Sequence, residues 1–144
     1  MSRISMLIAA AFAVSFLPTA ASTASPEHAI AYRQDLMKTL EAQFQAITLI
    51  VIAGAPAENL HSHLVAALLT ARALPLAFER RAPGGSSQPQ IWTNGNDFDH
   101  QMRHFEASIA MAVEAAKNGT PVEGVLYHLD AISCRTCHDR YRRY

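Results

Sequence analysis

Apolar residues recur every three to four positions along the chain, which is the spacing of helices with one buried face. The first such stretch follows Ser25-Pro26, a capping serine before a proline, and ends at Gly54. Its apolar seam consists of Ile30, Met37, Leu40, Phe44, Ile47 and Val51. Arg33 also falls on this seam, where a buried guanidinium needs a partner. The pattern predicts a fixed anion or the open end of a helix bundle at Arg33, or else a packed stem whose head reaches water.

A second helix is predicted from about Glu58 to Phe78, where Pro75 predicts a kink or an end near Leu74. Its apolar face consists of Leu60, Leu64, Ala67, Ala71, Leu74 and Phe78. The stretch 80–96 is rich in Pro, Gly, Ser and Gln and predicts a long loop. Within it, Ile91-Trp92 is expected to fold back as an apolar lid on the core.

A third helix, capped by Asn94 or Asn96, is predicted to run to Asn118. Its seam consists of Phe98, Met102, Phe105, Ile109, Ala112 and Ala116. The fourth opens at Thr120-Pro121-Val122-Glu123, and its apolar positions continue through Ile132 to Cys134. Alternation of the kind that marks a strand is not found over any useful length. The predicted fold is therefore all-α, an antiparallel four-helix bundle.

The N-terminus has the order of a secretory signal peptide. Arg3 precedes an apolar run from Ile4 to Leu17, and small residues follow, so cleavage is expected after Ala24 or, alternatively, Ala21. The run is too short to span a membrane comfortably. Residues 1–24 are thus predicted to be the signal and 25–144 the exported domain, with a periplasmic location and no stable membrane span after removal of the signal.

Charge and composition exclude two classes of protein. Half of the 144 residues are apolar, and 12 Lys and Arg balance 12 Asp and Glu. Disordered chains contain fewer apolar residues and usually carry a high net charge. A protein that binds nucleic acid through bulk positive charge has an excess of basic residues, which this chain lacks. We therefore expect a compact domain and no nucleic-acid partner.

The chemistry of the chain is concentrated near its C-terminus. Cys134 and Cys137 are the only cysteines, and His138 follows the second directly. CxxCH is the attachment motif of a c-type haem, in which both thiols form thioethers and the imidazole ligates the iron. A zinc site would need a fourth ligand, a thioredoxin-like motif belongs at a helix start after a strand, and a CxxC disulfide would close too small a loop to stabilise the fold.

Three segments together resemble the class II c-type cytochromes, which comprise cytochrome c prime and its low-spin relatives. They are Tyr32-Arg33-Gln34, Pro89-Gln90-Ile91-Trp92 and the C-terminal run Cys134-Arg135-Thr136-Cys137-His138-Asp139-Arg140-Tyr141-Arg142. The resemblance implies one covalent haem c with Cys134 and Cys137 as anchors and His138 as proximal ligand. It places Arg33 and Gln34 near a haem propionate and Arg142 beside the proximal histidine.

In this family the residue four positions after the arginine distinguishes the subclasses, and here it is Met37. A ligating Met37 predicts the low-spin subgroup, a monohaem electron carrier with a redox partner protein and no enzymatic activity. The other interpretation is that Met37 only fills the core, which leaves a five-coordinate iron that binds nitric oxide or carbon monoxide. Met102 and Met111 do not stand at the matching position. Relatives often dimerise through their first two helices, so a homodimer is a further hypothesis.

Two groups of polar residues can be explained without a metal site or a docking site. His100 and His104 lie four apart on the third helix and are expected to be a solvated pair rather than metal ligands. The arginines near the C-terminus suit the negative end of a helix dipole, although a docking patch for an acidic redox partner is equally compatible with them. They are Arg135, Arg140, Arg142 and Arg143.

Overall fold

A computed structural model describes residues 25–130 and 134–143. The predicted signal peptide, residues 1–24, lies outside the described residues, as does Ile132. The helices are α1 (Pro26–Ala53), α2 (Leu60–Glu79), α3 (Gln90–Thr93), α4 (Gly95–Lys117), α5 (Val122–Asp130) and α6 (Cys134–Tyr141). A single 3₁₀ turn, Ala57–Asn59, precedes α2. The predicted fourth helix is thus described as two segments, α5 and α6.

The ends of α1 follow from residues that the sequence supplies. The Ser25 side chain accepts a hydrogen bond from the His28 amide at 3.3 Å, which satisfies one of the free N–H groups of the first turn. Gly54 adopts a left-handed conformation, with φ 70°, and its amide donates to the Leu49 carbonyl. Both predicted ends of α1 are therefore confirmed.

The helix α2 continues through Pro75 to Glu79, which agrees with the predicted helix to Phe78 and excludes the end, though not the kink, predicted near Leu74. Proline removes one hydrogen bond from a helix interior, but burial of apolar side chains on both sides of it stabilises the helix. Leu74, Ala77 and Phe78 are all buried. Every position of the predicted apolar face of α2 is buried, and that prediction is confirmed.

The region between α2 and α4 contains the short helix α3 rather than an uninterrupted loop. Ile91 is buried, Trp92 packs against the core, and the Trp92 indole N–H donates to the Phe78 carbonyl at 2.9 Å. The predicted apolar lid is confirmed. The helix α4 begins at Gly95, so Asn94 occupies the predicted N-cap position, although its side chain makes no capping hydrogen bond.

Successive long helices pack against each other, α1 on α2, α2 on α4 and α4 on α5, which makes the predicted antiparallel four-helix bundle. The centre of the core contains side chains from α2, α4 and α5 that are fully buried, namely Leu64, Leu74, Ile109 and Val125. Among the described residues, α1 packs mainly on α2 and has few contacts with α5 or α6. By length and composition alone α1 and α2 could span a membrane, as core helices of a bundle often could.

Candidate haem site

The helix α6 carries both thiols and the imidazole of the CxxCH motif. Cys134 is exposed, Cys137 and His138 are half-buried, and neither thiol is in a disulfide. Burial raises the pKa of the Cys137 thiol, and burial together with the nearby Arg142 charge lowers the pKa of His138. Neutral imidazole is the form that ligates iron. Residues at i and i+3 or i+4 share one side of a helix, so the three groups can reach one cofactor.

The Arg33 side chain is buried, with only 3% of its surface exposed, so its guanidinium does not reach water. The hypothesis of a solvated head is therefore wrong. One guanidinium nitrogen, Nη2, donates to the Ala82 carbonyl at 2.5 Å. The guanidinium carbon lies 5.2 Å from the centre of the Phe78 ring and 5.4 Å from that of Trp92, distances at which cation–π attraction operates.

Two polar atoms of the same guanidinium, Nε and Nη1, are buried without a hydrogen-bond partner. Burial lowers the pKa of Arg33, so its charge is held in a poorly hydrated place. A buried cation with two unused donors is expected to have an anionic partner. The carboxylate of a haem propionate fits this requirement.

A tight turn links this part of α1 with the end of α6. Ser87 forms isolated bridges with Gly84 and with Arg142, and the Arg143 amide donates to the Ser86 carbonyl at 2.8 Å. The Gln34 amide nitrogen lies 3.3 Å from the position that a Cβ at Gly85 would take. The turn 84–87 thus brings the Arg33-Gln34 end of α1 and Arg142 to the same region, although about a hundred residues separate them in sequence.

Met37 lies one helical turn after Arg33 on α1 and packs partly against the core. The other two methionines of the described residues lie elsewhere on α4, where Met102 is buried in the core and Met111 is 48% exposed. Of the three, only Met37 shares a helix face with Arg33.

The chemistry of these groups fits a haem c between α1 and α6. Two thiols and an imidazole lie on one helix, and a buried arginine with free donors lies on the other, while the two helices have few contacts with each other. Among the described residues, no cluster of three or more His, Cys, Asp and Glu could hold a metal ion by itself. A zinc site built on the CxxC pair consequently has no support from the described geometry.

Some residues of this site were not identified from the sequence. Asp97 lies in the first turn of α4, and its carboxylate accepts hydrogen bonds from the Tyr141 hydroxyl and from Arg140. The Tyr141 hydrogen bond lowers the pKa of Asp97, and burial with this bond raises the pKa of Tyr141 to about 12. Phe78 and Ala82 contact Arg33. The spacing of residues along the chain does not indicate which of these side chains will contact each other.

Known proteins similar to this chain are cytochromes c prime. The chain is 32% identical over 125 residues to cytochrome c' of Alcaligenes xylosoxydans xylosoxydans, which covers 83% of this chain and 97% of that protein. A leucine-to-valine variant of cytochrome c prime from Alcaligenes xylosoxidans, solved as its nitric oxide complex, superposes with a TM-score of 0.77 at 25% identity, covering 85% of this chain and 100% of the other. A carbon monoxide-bound leucine-to-glycine variant has a TM-score of 0.76 at 26% identity, covering 84% and 98%.

The prediction of an electron carrier with His138 and Met37 as axial ligands is wrong. The similar proteins are cytochromes c prime, and their solved structures include forms with bound nitric oxide and carbon monoxide. An iron that binds a diatomic ligand needs an open coordination position, which an axial methionine would fill. The error arose because methionine is common as a filler of irregular cores, so its presence on a seam does not identify a ligand.

The family relationship extends over nearly all of the described chain. The model of the family described as Cytochrome C' matches residues 28–142, from the first turn of α1 to the residue after α6. That range contains the buried Arg33, Met37 and the whole CxxCH motif. The chain belongs to the cytochrome c' family and carries one covalently attached haem c.

Proposed function

We propose that the protein is a periplasmic haem protein that binds nitric oxide or carbon monoxide on the face of the haem opposite His138, and that it is not an enzyme. The observation that carries this proposal is the set of similar structures with these two gases bound. When bound, the haem supplies an iron with one open coordination position. The residues of this chain determine what reaches that position.

His138 holds the iron from the side of α6. Its lowered pKa keeps the imidazole neutral and able to donate a lone pair. Cys134 and Cys137 supply the two thioether bonds, which prevent loss of the cofactor. One helix therefore provides the covalent anchors and the proximal ligand.

Met37 would contribute an apolar side chain beside the haem, where it would exclude water and narrow the access of ligands without binding the iron. Its half-buried position on the α1 seam supports this role. A neutral diatomic gas needs no hydrogen bond to enter an apolar pocket, whereas water and anions would lose theirs. The pocket consequently favours nitric oxide and carbon monoxide over polar ligands.

Arg33 and Gln34 bind a haem propionate, and Arg142 places positive charge beside His138. The two unpartnered donors of Arg33 support the first assignment, and the effect of Arg142 on the pKa of His138 supports the second. Reduction of the iron requires an electron, for which we propose a redox partner protein. Residues 1–24 are the signal peptide that directs export.

A homodimer through α1 and α2 is part of the proposal. Exposed apolar side chains lie on both helices: Leu49, Ile52, Leu69 and Leu76. Their exposed fractions run from 57% to 79%, so an interface on these two helices would remove apolar surface from water. A second copy of the chain would bury them.

Visible spectra of the purified protein in both oxidation states test the proposed function. We expect a high-spin ferric spectrum and rapid carbon monoxide binding by the ferrous protein. Met37→Ala should raise the rate of carbon monoxide binding about tenfold, equivalent to a barrier lower by about 1.4 kcal/mol, while Met111→Ala, at an exposed position, should leave it unchanged. A low-spin ferric spectrum with no carbon monoxide binding would overturn the proposal.

A further inference from the structure

The described part of α6 is tied to the bundle mainly through Tyr141, near its C-terminal end. It has eight residues, and Tyr141 is its one buried residue among those described. The direction in which His138 points therefore depends on what holds the end of α6.

Aromatic packing connects that end to the bundle. The Tyr141 ring meets the Phe98 ring edge to face, with centres 5.1 Å apart and planes at 80°. Phe98 meets Phe78 of α2 in a similar way, with centres 5.1 Å apart. This geometry is the favoured one for ring pairs, and it ties α6 to α4 and α2.

The residue before Phe98, Asp97, adds polar contacts at the same place. Its Oδ2 accepts hydrogen bonds from the Tyr141 hydroxyl and from Arg140 Nη1, the latter at 3.2 Å. Hydrogen bonds to an ionised carboxylate are stronger than those between neutral groups. Asp97 also lies in the first turn of α4, where the helix dipole favours negative charge.

The backbone of Tyr141 is held from another direction. The Gln88 amide donates to the Tyr141 carbonyl at 2.9 Å, next to the bond between Arg143 and Ser86. The ring, the hydroxyl and the carbonyl of Tyr141 therefore each contact another part of the protein. Cys137 and His138 precede Tyr141 by four and three positions and lie on the same side of α6, so a rotation of Tyr141 about the helix axis turns them as well.

We infer that Asp97 is a positioning residue for the proximal ligand: through its hydrogen bond to Tyr141 it sets the rotation of α6 and hence the orientation of the His138 imidazole. Asp97 acts through Tyr141. The inference rests on the proposed function in that His138 is taken as the proximal ligand of a haem with an open opposite face.

The test uses the holoprotein with Asp97→Asn and Tyr141→Phe. Matched controls are Asp99→Asn, which removes an exposed carboxylate two residues further along α4, and Tyr127→Phe, which alters a tyrosine that is 77% exposed. Two measurements are made: the iron–imidazole stretching band of the ferrous protein by resonance Raman spectroscopy, and hydrogen exchange of the amides in 138–143. Asp97→Asn and Tyr141→Phe should shift or broaden the band and speed exchange about tenfold, while the controls match the wild type.

A wild-type band in Asp97→Asn and in Tyr141→Phe would overturn the inference, including where the melting temperature alone falls, because that pattern means general support of the fold. Should Tyr141→Phe fail to fold, Asp97→Asn carries the test. Failure of the proposed function is seen separately, as a six-coordinate ferrous spectrum in the wild type. In that case the exchange rates still decide whether Asp97 holds α6.

Discussion

The two helices that enclose the haem site are held in place by different means. On one side α1 has 28 residues and buries Arg33, Leu40, Ile47 and Ile50 along its length. On the other side the described part of α6, Cys134–Tyr141, buries Tyr141 near its end and packs Cys137 partly against the core. The first is positioned by the core along its length, and most contacts described for the second lie near its end. The difference implies that substitutions in α1 change global stability, whereas substitutions around α6 change the geometry of the site.

Loss of the covalent anchors should have the largest effect on the α6 side. In Cys134→Ser/Cys137→Ser we expect no covalently attached haem, because both thioethers are lost. Denaturing electrophoresis with haem staining measures this. The single variants are the controls and should each retain one thioether and some stain. A stain of wild-type intensity in the double variant would contradict haem attachment at these cysteines.

On the α1 side, Ile47→Ala should lower the free energy of unfolding by about 2–5 kcal/mol, the usual cost of truncating a buried aliphatic side chain. The ferrous iron–imidazole band should stay unchanged, because α6 is held independently. Chemical denaturation and resonance Raman spectra provide the two measurements. Leu49→Ala, at a position 57% exposed, is the control and should change stability by about 0.5 kcal/mol or less if the monomer is measured. A band shift with Ile47→Ala would mean that the two sides are coupled.

Arg33→Met should raise the free energy of unfolding of the haem-free protein and lower that of the holoprotein. In the haem-free Cys134→Ser/Cys137→Ser protein it removes a buried charge with two unused donors, so the free energy of unfolding should rise by about 1–3 kcal/mol. In the holoprotein it removes the partner of the propionate and should lower stability by a similar amount. Thermal unfolding of both forms gives the comparison. The same sign in both forms would argue against a propionate at Arg33.

Gly85 lies where the two sides meet, within the turn 84–87 that contacts α1 and pairs with the end of α6. It has φ 58°, and a Cβ there would lie 2.9 Å from Ile30 Cγ2. Gly85→Ala should cost about 1–2 kcal/mol of stability, since an L-residue is strained in this conformation. Gly95→Ala, where a Cβ meets nothing within 4 Å and φ is not left-handed, is the control and should not destabilise. Equal stability of the two variants would show that the turn is not held against α1.

The smallest expected effect concerns alkaline pH. The raised pKa of Tyr141, about 12, means that the folded state holds this proton more tightly than the unfolded state. The resulting stabilisation is complete below about pH 10, the ordinary tyrosine value, and disappears as the pH rises toward 12. Tyr141→Phe should therefore flatten the loss of stability between pH 10 and 12. Unfolding curves at several pH values, with Tyr127→Phe as control, measure the difference.

Much of the fold could be predicted from the sequence because its determinants are local. Ser25 and Gly54 set the ends of α1, and the apolar face of α2 was predicted position by position. Of the kink or end predicted at Pro75, the structure excludes the end, since burial of Leu74, Ala77 and Phe78 outweighs one lost hydrogen bond. The local tendency of proline to end a helix is overridden where the packing of neighbouring side chains contributes more free energy.

The sequence by itself determined the covalent chemistry, because Cys134, Cys137 and His138 lie within one helical turn of each other and helix geometry alone puts them on one side. It also showed that Arg33 and Met37 belong to the seam of α1. The tertiary structure decided that the Arg33 guanidinium is buried against Ala82, Phe78 and Trp92, and that Asp97 reaches Tyr141. These contacts join residues dozens of positions apart, and the spacing within a helix carries no information about which residue of another helix will lie opposite.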